Sequence, residues 1–459
     1  MELINDTIVA PATSLAPAAV AIVRLSGPDA FTILHKLWRP LYARKLRYRQ
    51  LYLGEIREPS GALLDRALAV MMPAPKSFTG EDVAELHCHG GTFIVRRVIA
   101  AALAAGARMA NPGEFTRRAF LNGRIDLTEA EAIADLVNAS SENALAQALA
   151  QLNGLLSNKV RTLRKQLIDI RVQLEAQIDF SDEDIDFASD AEVIQRIDLL
   201  LADIEALHDS FNRGKLVRSG VRVAIVGKPN VGKSSLMNLL LGTQRAIVTP
   251  IPGTTRDLIE DTIQIGGFQV VLQDGAGIRD TEETVERIGI ELARRNAGTA
   301  DVILAVFDAS APLEQADREV VSLCAGRPAI GVLNKADLPR LLTPDSLRAL
   351  GFTDAVVELS AVRGDGLEQL RTTLAEGLAR LHGEVSGEKI AISRERHRVA
   401  LARALDRLKS AKRALQKRMP PEIVTVDITG AAEALASITG EVTSEDVLDA
   451  IFSEFCIGK

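Results

Sequence analysis

Cysteine is scarce in this sequence: Cys88, Cys324 and Cys456 are the three thiols in 459 residues. They lie too far apart for a disulfide framework or a zinc-ligand spacing. A reducing, cytosolic compartment is the expectation that follows. No run of about 18 uncharged apolar residues occurs, which argues against a membrane-spanning helix and a membrane partner. The opening Met1-Glu2-Leu3-Ile4-Asn5-Asp6 lacks the basic flank and apolar stretch of a secretory signal. Positive charge is not in excess either, since the net charge is −7 and the pI about 5.6. A protein that coats nucleic acid with its whole surface is usually basic, so any such contact here must be local.

What is present reads as an ordinary globular protein, 47% hydrophobic and 25% charged, of about two to four domains. Residues 1–120 mix short apolar runs such as Val20-Ala21-Ile22-Val23 with turn signals such as Ser26-Gly27-Pro28-Asp29, the texture of an α+β domain. From 126 to 212 the only glycine or proline is Gly154. Good helix formers fill the stretch, which predicts long helices interrupted near the acidic Asp179–Asp190. From Val221 to His382 apolar strands (221–226, 302–307, 329–333) alternate with helical stretches, the pattern of a parallel sheet. Helix-forming composition returns after Gly383. The expected architecture is therefore an N-terminal α+β domain (1–120), a discontinuous helical domain (121–215 and 384–459) and an inserted α/β P-loop domain (216–383). Two separate helical domains are the alternative. Two segments are locally basic. Arg39–Arg49 interleaves Arg39, Arg44, Lys45, Arg47 and Arg49 with Tyr42 and Tyr48. Arg394–Arg418 holds ten Lys/Arg against Glu395 and Asp406, with Val399, Leu401, Leu405, Leu408 and Leu415 at helical spacing. Both are nucleic-acid contacts or plain solvated faces.

The strand 221–226 runs into Gly227-Lys228-Pro229-Asn230-Val231-Gly232-Lys233-Ser234, followed by a helix expected over Ser235–Leu241. This is a phosphate-binding loop in its required setting. Backbone N–H groups and the helix N-terminus cradle phosphate, Lys233 reaches the β- and γ-phosphates, and Ser234 offers a hydroxyl to Mg²⁺. Four further elements follow in order. Gly253-Thr254-Thr255-Arg256-Asp257 can order around the γ-phosphate. Asp274-Gly275-Ala276-Gly277 follows the strand Phe268–Leu272; its carboxylate can hold Mg²⁺ through water, and the Gly277 N–H can meet the γ-phosphate. Asn334-Lys335-Ala336-Asp337 carries an aspartate that can accept two hydrogen bonds from guanine and would be left unpaired against adenine. Ser360-Ala361, after the strand 356–359, can direct an N–H at the guanine oxygen. Together they predict a guanine-specific, Mg²⁺-dependent site that binds and hydrolyses GTP.

Ras-like GTPases position the attacking water with a Gln after the third element's last glycine. Ile278 stands there and cannot orient water. Asp280, Glu282, Glu283 and Glu286 are candidate acids, and Arg256 and Arg279 candidate charge stabilisers. The Asn230 side-chain oxygen suits a monovalent cation, which can supply the charge of an arginine finger; a turn asparagine is the other reading.

The whole chain resembles the MnmE (TrmE) family of bacterial tRNA-modification GTPases. The most specific residues are Gly253–Asp257, Val285-Glu286-Arg287-Ile288-Gly289-Ile290, Phe78-Thr79-Gly80-Glu81-Asp82, Pro112-Gly113-Glu114-Phe115 and Cys456-Ile457-Gly458-Lys459. The resemblance implies an N-terminal domain that binds 5-formyl- or 5,10-methylene-tetrahydrofolate and holds a homodimer. It implies a helical domain in two segments around a Ras-like G domain, and G domains that pair during K⁺-dependent hydrolysis. It implies work with the FAD-containing partner MnmG, adding an aminomethyl or carboxymethylaminomethyl group to the wobble uridine of certain tRNAs. By the same resemblance GTP meets Asn230, Val231, Gly232, Lys233, Ser234 and Ser235, then Thr249, Pro250, Ile251, Pro252, Gly253, Thr254 and Thr255. It also meets Asp274, Gly275, Ala276, Gly277, Asn334, Lys335, Asp337, Ser360 and Ala361. Ser234 and Thr255 are implied for Mg²⁺, and Asn230, Thr249, Ile251 and Thr254 for K⁺. Glu286 is implied as the acid acting on the attacking water, with Arg256 as a further catalytic candidate. Arg24, Glu85, Arg124 and Lys459 are implied for folate, and Cys456 for the modification chemistry, against a free thiol near a disordered tail. Three places depart from the family pattern. Gly275 stands for a threonine, Ser14–Ala19 replaces a Pro-Pro-Gly-Arg-Gly run, and Cys88 sits where glycine is common. A GTPase switch assisting ribosome assembly is the runner-up, and a septin-like polymer a third reading.

Overall fold

Val20-Ala21-Ile22-Val23 lies inside β2 (Ala18–Ser26), where alternate side chains turn inward and outward. The computed structural model to which this strand belongs describes residues 6–42, 45–58, 60–180, 189–243, 261–274, 295–382 and 390–459. It divides into two compact units, one formed by Met1–Ala134, Gln151–Val193 and Ser410–Lys459, the other by Asp135–Ala150 and Ile194–Lys409.

In the first unit β1 (Ile8–Pro11), β2, β3 (Trp38–Pro40), β4 (Tyr52–Arg57), β5 (Leu63–Met72), β6 (Val83–Gly90) and β7 (Arg108–Met109) form one sheet in the order β3-β4-β5-β6-β2-β1-β7. All its pairings are antiparallel except β1 with β7. The helices α1 (Ala30–Leu37) and α2 (Thr92–Ala104) bury Ile33, Leu34, Val95 and Val98 against Val23, Leu25, Trp38 and Leu86. Cys88 belongs to this core, so its thiol replaces buried volume rather than surface. Helices α3 (Glu114–Leu121), α4 (Leu127–Asn138) and α6 (Leu155–Asp179) follow; α5 (Glu142–Leu152), between α4 and α6 in the chain, lies mostly in the second unit. On α6 the buried Val160, Leu163, Leu167, Ile170 and Leu174 recur at helical spacing. They face α14 (Pro421–Thr439), which buries Val424, Ile428, Ala431 and Leu435. The last helix, α15 (Glu445–Ser453), packs Leu448, Ile451 and Phe452 on Leu127 and Ala130.

The second unit holds β8 (Val221–Val226), α9 (Lys233–Thr243), β9 (Asp261–Ile265), β10 (Phe268–Asp274), β11 (Val302–Asp308), α10 (Gln315–Cys324), β12 (Ala329–Asn334), α11 (Pro344–Ala349), β13 (Ala355–Glu358) and α12 (Leu367–His382). Its sheet runs β13-β12-β11-β8-β10-β9, parallel apart from the β9–β10 hairpin. Both faces of β8 are covered: Val223 and Ile225 enter one core, Ala224 and Val226 another. Double coverage is why this strand reads as a continuous apolar run. The helices α7 (Asp190–Asp209), α8 (Phe211–Ser219) and α13 (Glu395–Gln416) complete the described elements named here.

The α+β sheet, the helices and the parallel sheet expected from the sequence are all present. Two local expectations change. The helix after the phosphate loop begins at Lys233 rather than Ser235, because the loop's last residues already close the first helical turn. Val399 is 54% exposed, so the buried stripe of α13 runs through Ala400, Leu401, Ala404, Leu405 and Leu408 instead.

Candidate nucleotide and tail sites

The loops after β8, β12 and β13 lie at the carboxyl ends of parallel strands, where open α/β sheets gather their ligand groups. Val231, 1% exposed, plugs the phosphate loop into the core. On either side of it the backbone turns left-handed, with φ 63° at Asn230 and 96° at Gly232. The Lys233 ammonium donates to Gly227 O and Lys228 O, at 2.9 Å each, so it is held inside the loop's curve. Ser234 and Ser235 are exposed in the first turn of α9.

Asn334, at the end of β12 and 2% exposed, ties three loops together. Its Nδ2 donates to Val231 O at 2.7 Å, and its Oδ1 accepts the Ala361 N–H at 2.9 Å. Gly232 has to be glycine for this, because a Cβ there would collide with Asn334 Nδ2. Asp337 Oδ1 accepts the Ser360 hydroxyl at 2.6 Å. That bond is the largest cause holding the Asp337 carboxyl below its usual value and keeping it an acceptor. Lys335, at φ 63°, donates to Asp308 Oδ2 at 2.6 Å. Asp308 was not among the candidates; its position at the end of β11, beside β12, is the signal that marks it. Burial works against ionisation of Asp308, but hydrogen bonds from Lys335 and Ser310 outweigh it and lower its pKa.

The structure thus brings Asn230 to Ser235 together with Asn334 and Ala361, and Asp337 with Ser360. Thr249, Pro250, Ile251, Pro252, Gly253, Thr254, Thr255 and Arg256 lie outside the described residues, as do Gly275, Ala276, Gly277, Ile278, Arg279, Asp280, Glu282, Glu283 and Glu286. Asp274 ends β10, and its side chain also lies outside them. A cavity of about 440 Å³ elsewhere in this unit is lined by Arg318, Cys324, Gly351 and Asp354, and by none of the phosphate-loop residues.

In the first unit a second site forms at the sheet. Arg24 and Glu85 are cross-strand partners on β2 and β6. The Arg24 Nε donates to Glu85 Oε1 at 2.8 Å, and His87 lies 3.2 Å from Glu85 Oε2. The Arg24 guanidinium sits 5.8 Å from the ring centres of both Phe78 and Phe115, within reach of a cation–π attraction. The Arg124 side chain packs against Gly80, two residues from Phe78. The tail reaches the same place. Phe115 N–H donates to Lys459 O at 3.2 Å and Gly113 N–H to Cys456 O at 3.5 Å, so the tail takes up donors that the start of α3 leaves over. Gly458, at φ 98°, lies so close to Pro11 O that any Cβ would strike it. Burial is the largest influence lowering the Lys459 ammonium pKa; Arg24 adds to it and the Cys456 side chain opposes it. The tail is therefore packed, not disordered as the plainer reading of Cys456 had it. Cys456 itself is exposed, whereas Cys88 and Cys324 are buried.

Beneath this site lies a charged network. Arg118, 1% exposed, donates to Glu81, to Asp6 and to Glu114 Oε1. Ser26 donates to Glu81 Oε2 at 2.7 Å. This connects the Phe78–Asp82 and Pro112–Phe115 segments, which the sequence marks as distinctive without saying why. Among the described residues no helix is long and apolar enough to cross a membrane.

Comparison with known proteins agrees across the chain. The family "GTP-binding protein TrmE N-terminus" matches residues 7–124, and "MnmE helical domain" matches 127–456. The tRNA modification GTPase MnmE of Syntrophus aciditrophicus is 42% identical, covering 100% of both chains. That of Chloroflexus aurantiacus is 45% identical, covering 99% of this chain and 100% of its own. The one from Roseiflexus sp. is 43% identical with full coverage of both.

Proposed function

The chain belongs to the MnmE family of tRNA modification GTPases, and we propose that its GTP hydrolysis drives addition of an aminomethyl or carboxymethylaminomethyl group to the wobble uridine of certain tRNAs. The reaction uses a tetrahydrofolate one-carbon donor and an FAD-containing partner. The observation that carries this reading is the packed tail, whose Lys459 carbonyl accepts the N–H of Phe115, the ring against which Arg24 packs, and whose Cys456 thiol is exposed. A switch that only assists ribosome assembly has no use for such a site.

The residues fit a folate. Glu85 supplies a carboxylate for the N–H donors of a pterin edge, and the exposed Phe78 supplies a ring face, while the buried Phe115 backs the Arg24 guanidinium. Arg24, Arg124 and Lys459 supply cations for its carboxylates. When bound, the folate supplies the carbon unit. Cys456, exposed beside it, is the nucleophile available to the modification.

In the nucleotide site Lys233 neutralises phosphate charge, and the Asp337–Ser360 pair reads guanine. Ser234 and Thr255 hold Mg²⁺. Asn230 joins Thr249, Ile251 and Thr254 around K⁺; its left-handed turn at the exposed crest of the loop supports this. Arg256 adds positive charge. Glu286 directs the attacking water in place of the glutamine whose position Ile278 takes. The protein works as a cytoplasmic homodimer, joined through the domain 1–120, whose G domains (216–383) pair during hydrolysis; the helical domain comprises 121–215 and 384–459.

Steady-state turnover tests the catalytic half. We expect GTP hydrolysis at least about tenfold faster in K⁺ than in Na⁺, and Glu286→Ala to lower kcat by about 100-fold with little change in GTP affinity. Equal rates in the two salts would contradict the K⁺ assignment. A matching loss of affinity would make Glu286 structural.

A further inference from the structure

The Lys228 carbonyl belongs to the site already described, but its side chain has been given no part there, and that side chain is only 11% exposed. Its ammonium lies 3.0 Å from Asp317 Oδ2 and 3.1 Å from Glu314 Oε2. These two acids form the reciprocal cap at the start of α10: Asp317 Oδ2 also accepts the Glu314 N–H at 2.9 Å, and the Glu314 side chain accepts the Asp317 N–H. Asp317 is 1% exposed, and its Oδ1 is buried without a hydrogen-bond partner among the described residues. A buried carboxylate is costly unless a cation compensates it, and Lys228 provides that cation. Burial disfavours the charged ammonium, but the bonds to Asp317 and Glu314 outweigh this and raise its pKa. The main chain of the same residue does something else. Lys228 O accepts the Lys233 ammonium at 2.9 Å, alongside Gly227 O.

One residue therefore grips a helix cap with its side chain and the phosphate-binding lysine with its carbonyl. Pro229 follows it and restricts its backbone to extended conformations, so fixing the side-chain tip leaves its peptide little freedom. We propose that Lys228 is a positioning residue: the acidic start of α10 anchors it, and the anchored carbonyl presets Lys233 for the nucleotide phosphates. The inference rests on the phosphate-loop reading above. It makes α10 a determinant of nucleotide affinity, although none of its residues is assigned to the nucleotide.

The test uses the full chain and fluorescent GDP and GTP analogues, with kcat, KM and the unliganded melting temperature measured alongside. Lys228→Gln is expected to weaken both nucleotides about tenfold and to lower kcat less than about threefold; Lys228→Arg should restore affinity to within about twofold. Asp317→Asn should weaken binding as much as Lys228→Gln, and the double variant no more than either single, because both remove one contact. Should Lys228→Gln fold poorly with its carboxylate uncompensated, the double variant removes both charges and carries the same expectation. Wild-type affinity in the double variant, losses that multiply, or no rescue by Lys228→Arg would overturn the proposal. A wild-type protein that binds ATP analogues as well as guanine ones would instead overturn the guanine-site reading, whatever the variants do.

Discussion

At the scale of single residues the nucleotide site depends on pairings between loops. Asp337 keeps one carboxylate oxygen on the Ser360 hydroxyl. We expect Asp337→Asn to weaken guanine nucleotides about 10- to 100-fold, the worth of a hydrogen bond to a charged group, and to shift preference toward xanthine. Competition between GDP and xanthosine diphosphate checks this; retained guanine selectivity would remove Asp337 from base reading. Thiols give a second check. Burial, then Asp65, pushes the Cys88 thiol up to about 11, and burial, then Asp354, pushes Cys324 to about 12. In native protein near pH 8 a thiol reagent should therefore modify Cys456 alone, and all three cysteines after unfolding. Fast labelling of two thiols would mean the N-terminal sheet or α10 opens. Among the described residues, the motifs Asn230–Ser235, Asn334–Asp337 and Ser360-Ala361 were legible in the sequence because each lies at or just after a strand end, where a short pattern fixes the backbone. Their ties were not. Nothing in the order of residues says that Asn334 reaches Val231 across 103 positions, or that Asp308 meets Lys335. Such bonds depend on how strands stack side by side, which the spacing along one chain does not encode.

At the scale of elements α3 organises the tail site. Its first N–H groups receive the tail, and Arg118 from its last turn binds Glu81, Asp6 and Glu114. Burial works to raise the Glu114 pKa, but bonds from Arg108, the Asn111 N–H and Arg118 outweigh it and hold the carboxyl below the usual range. Asp6 is lowered in the same manner, its burial outweighed by Arg108 and Arg118. With the folded pKa depressed, the unfolded chain binds more protons below about pH 4.3. This stabilisation is complete above that value and is lost as pH falls through the folded pKa. The sequence has one tryptophan, Trp38, which is 1% exposed in the N-terminal core and reports on that sheet. By its fluorescence we expect Arg118→Gln to cost about 3 kcal/mol at pH 7, as breaking a buried ion pair does, and to flatten the acid limb. An unchanged limb would mean that other carboxylates control acid unfolding. Helices and strands themselves were legible wherever a face is apolar at a regular period, as on α6. Val399 misled because composition marks a residue as apolar but does not say which face of α13 is covered.

At the scale of the whole molecule the proposed function rests on two sites, the guanine-nucleotide loops of the second unit and the packed tail beside Arg24 and Glu85 in the first. The phosphate loop alone is common to many GTPases. The tail packed on the N-terminal sheet is what separates a modification enzyme from a switch. The most direct measurement is nucleoside analysis of the wobble position in tRNA from cells lacking this protein, complemented by the wild-type chain, by Lys233→Ala or by Cys456→Ser. The account predicts unmodified wobble uridine in the deletion and in both variants, and restoration only by the wild type. Normal wobble uridine in the deletion, with ribosome precursors accumulating, would contradict it.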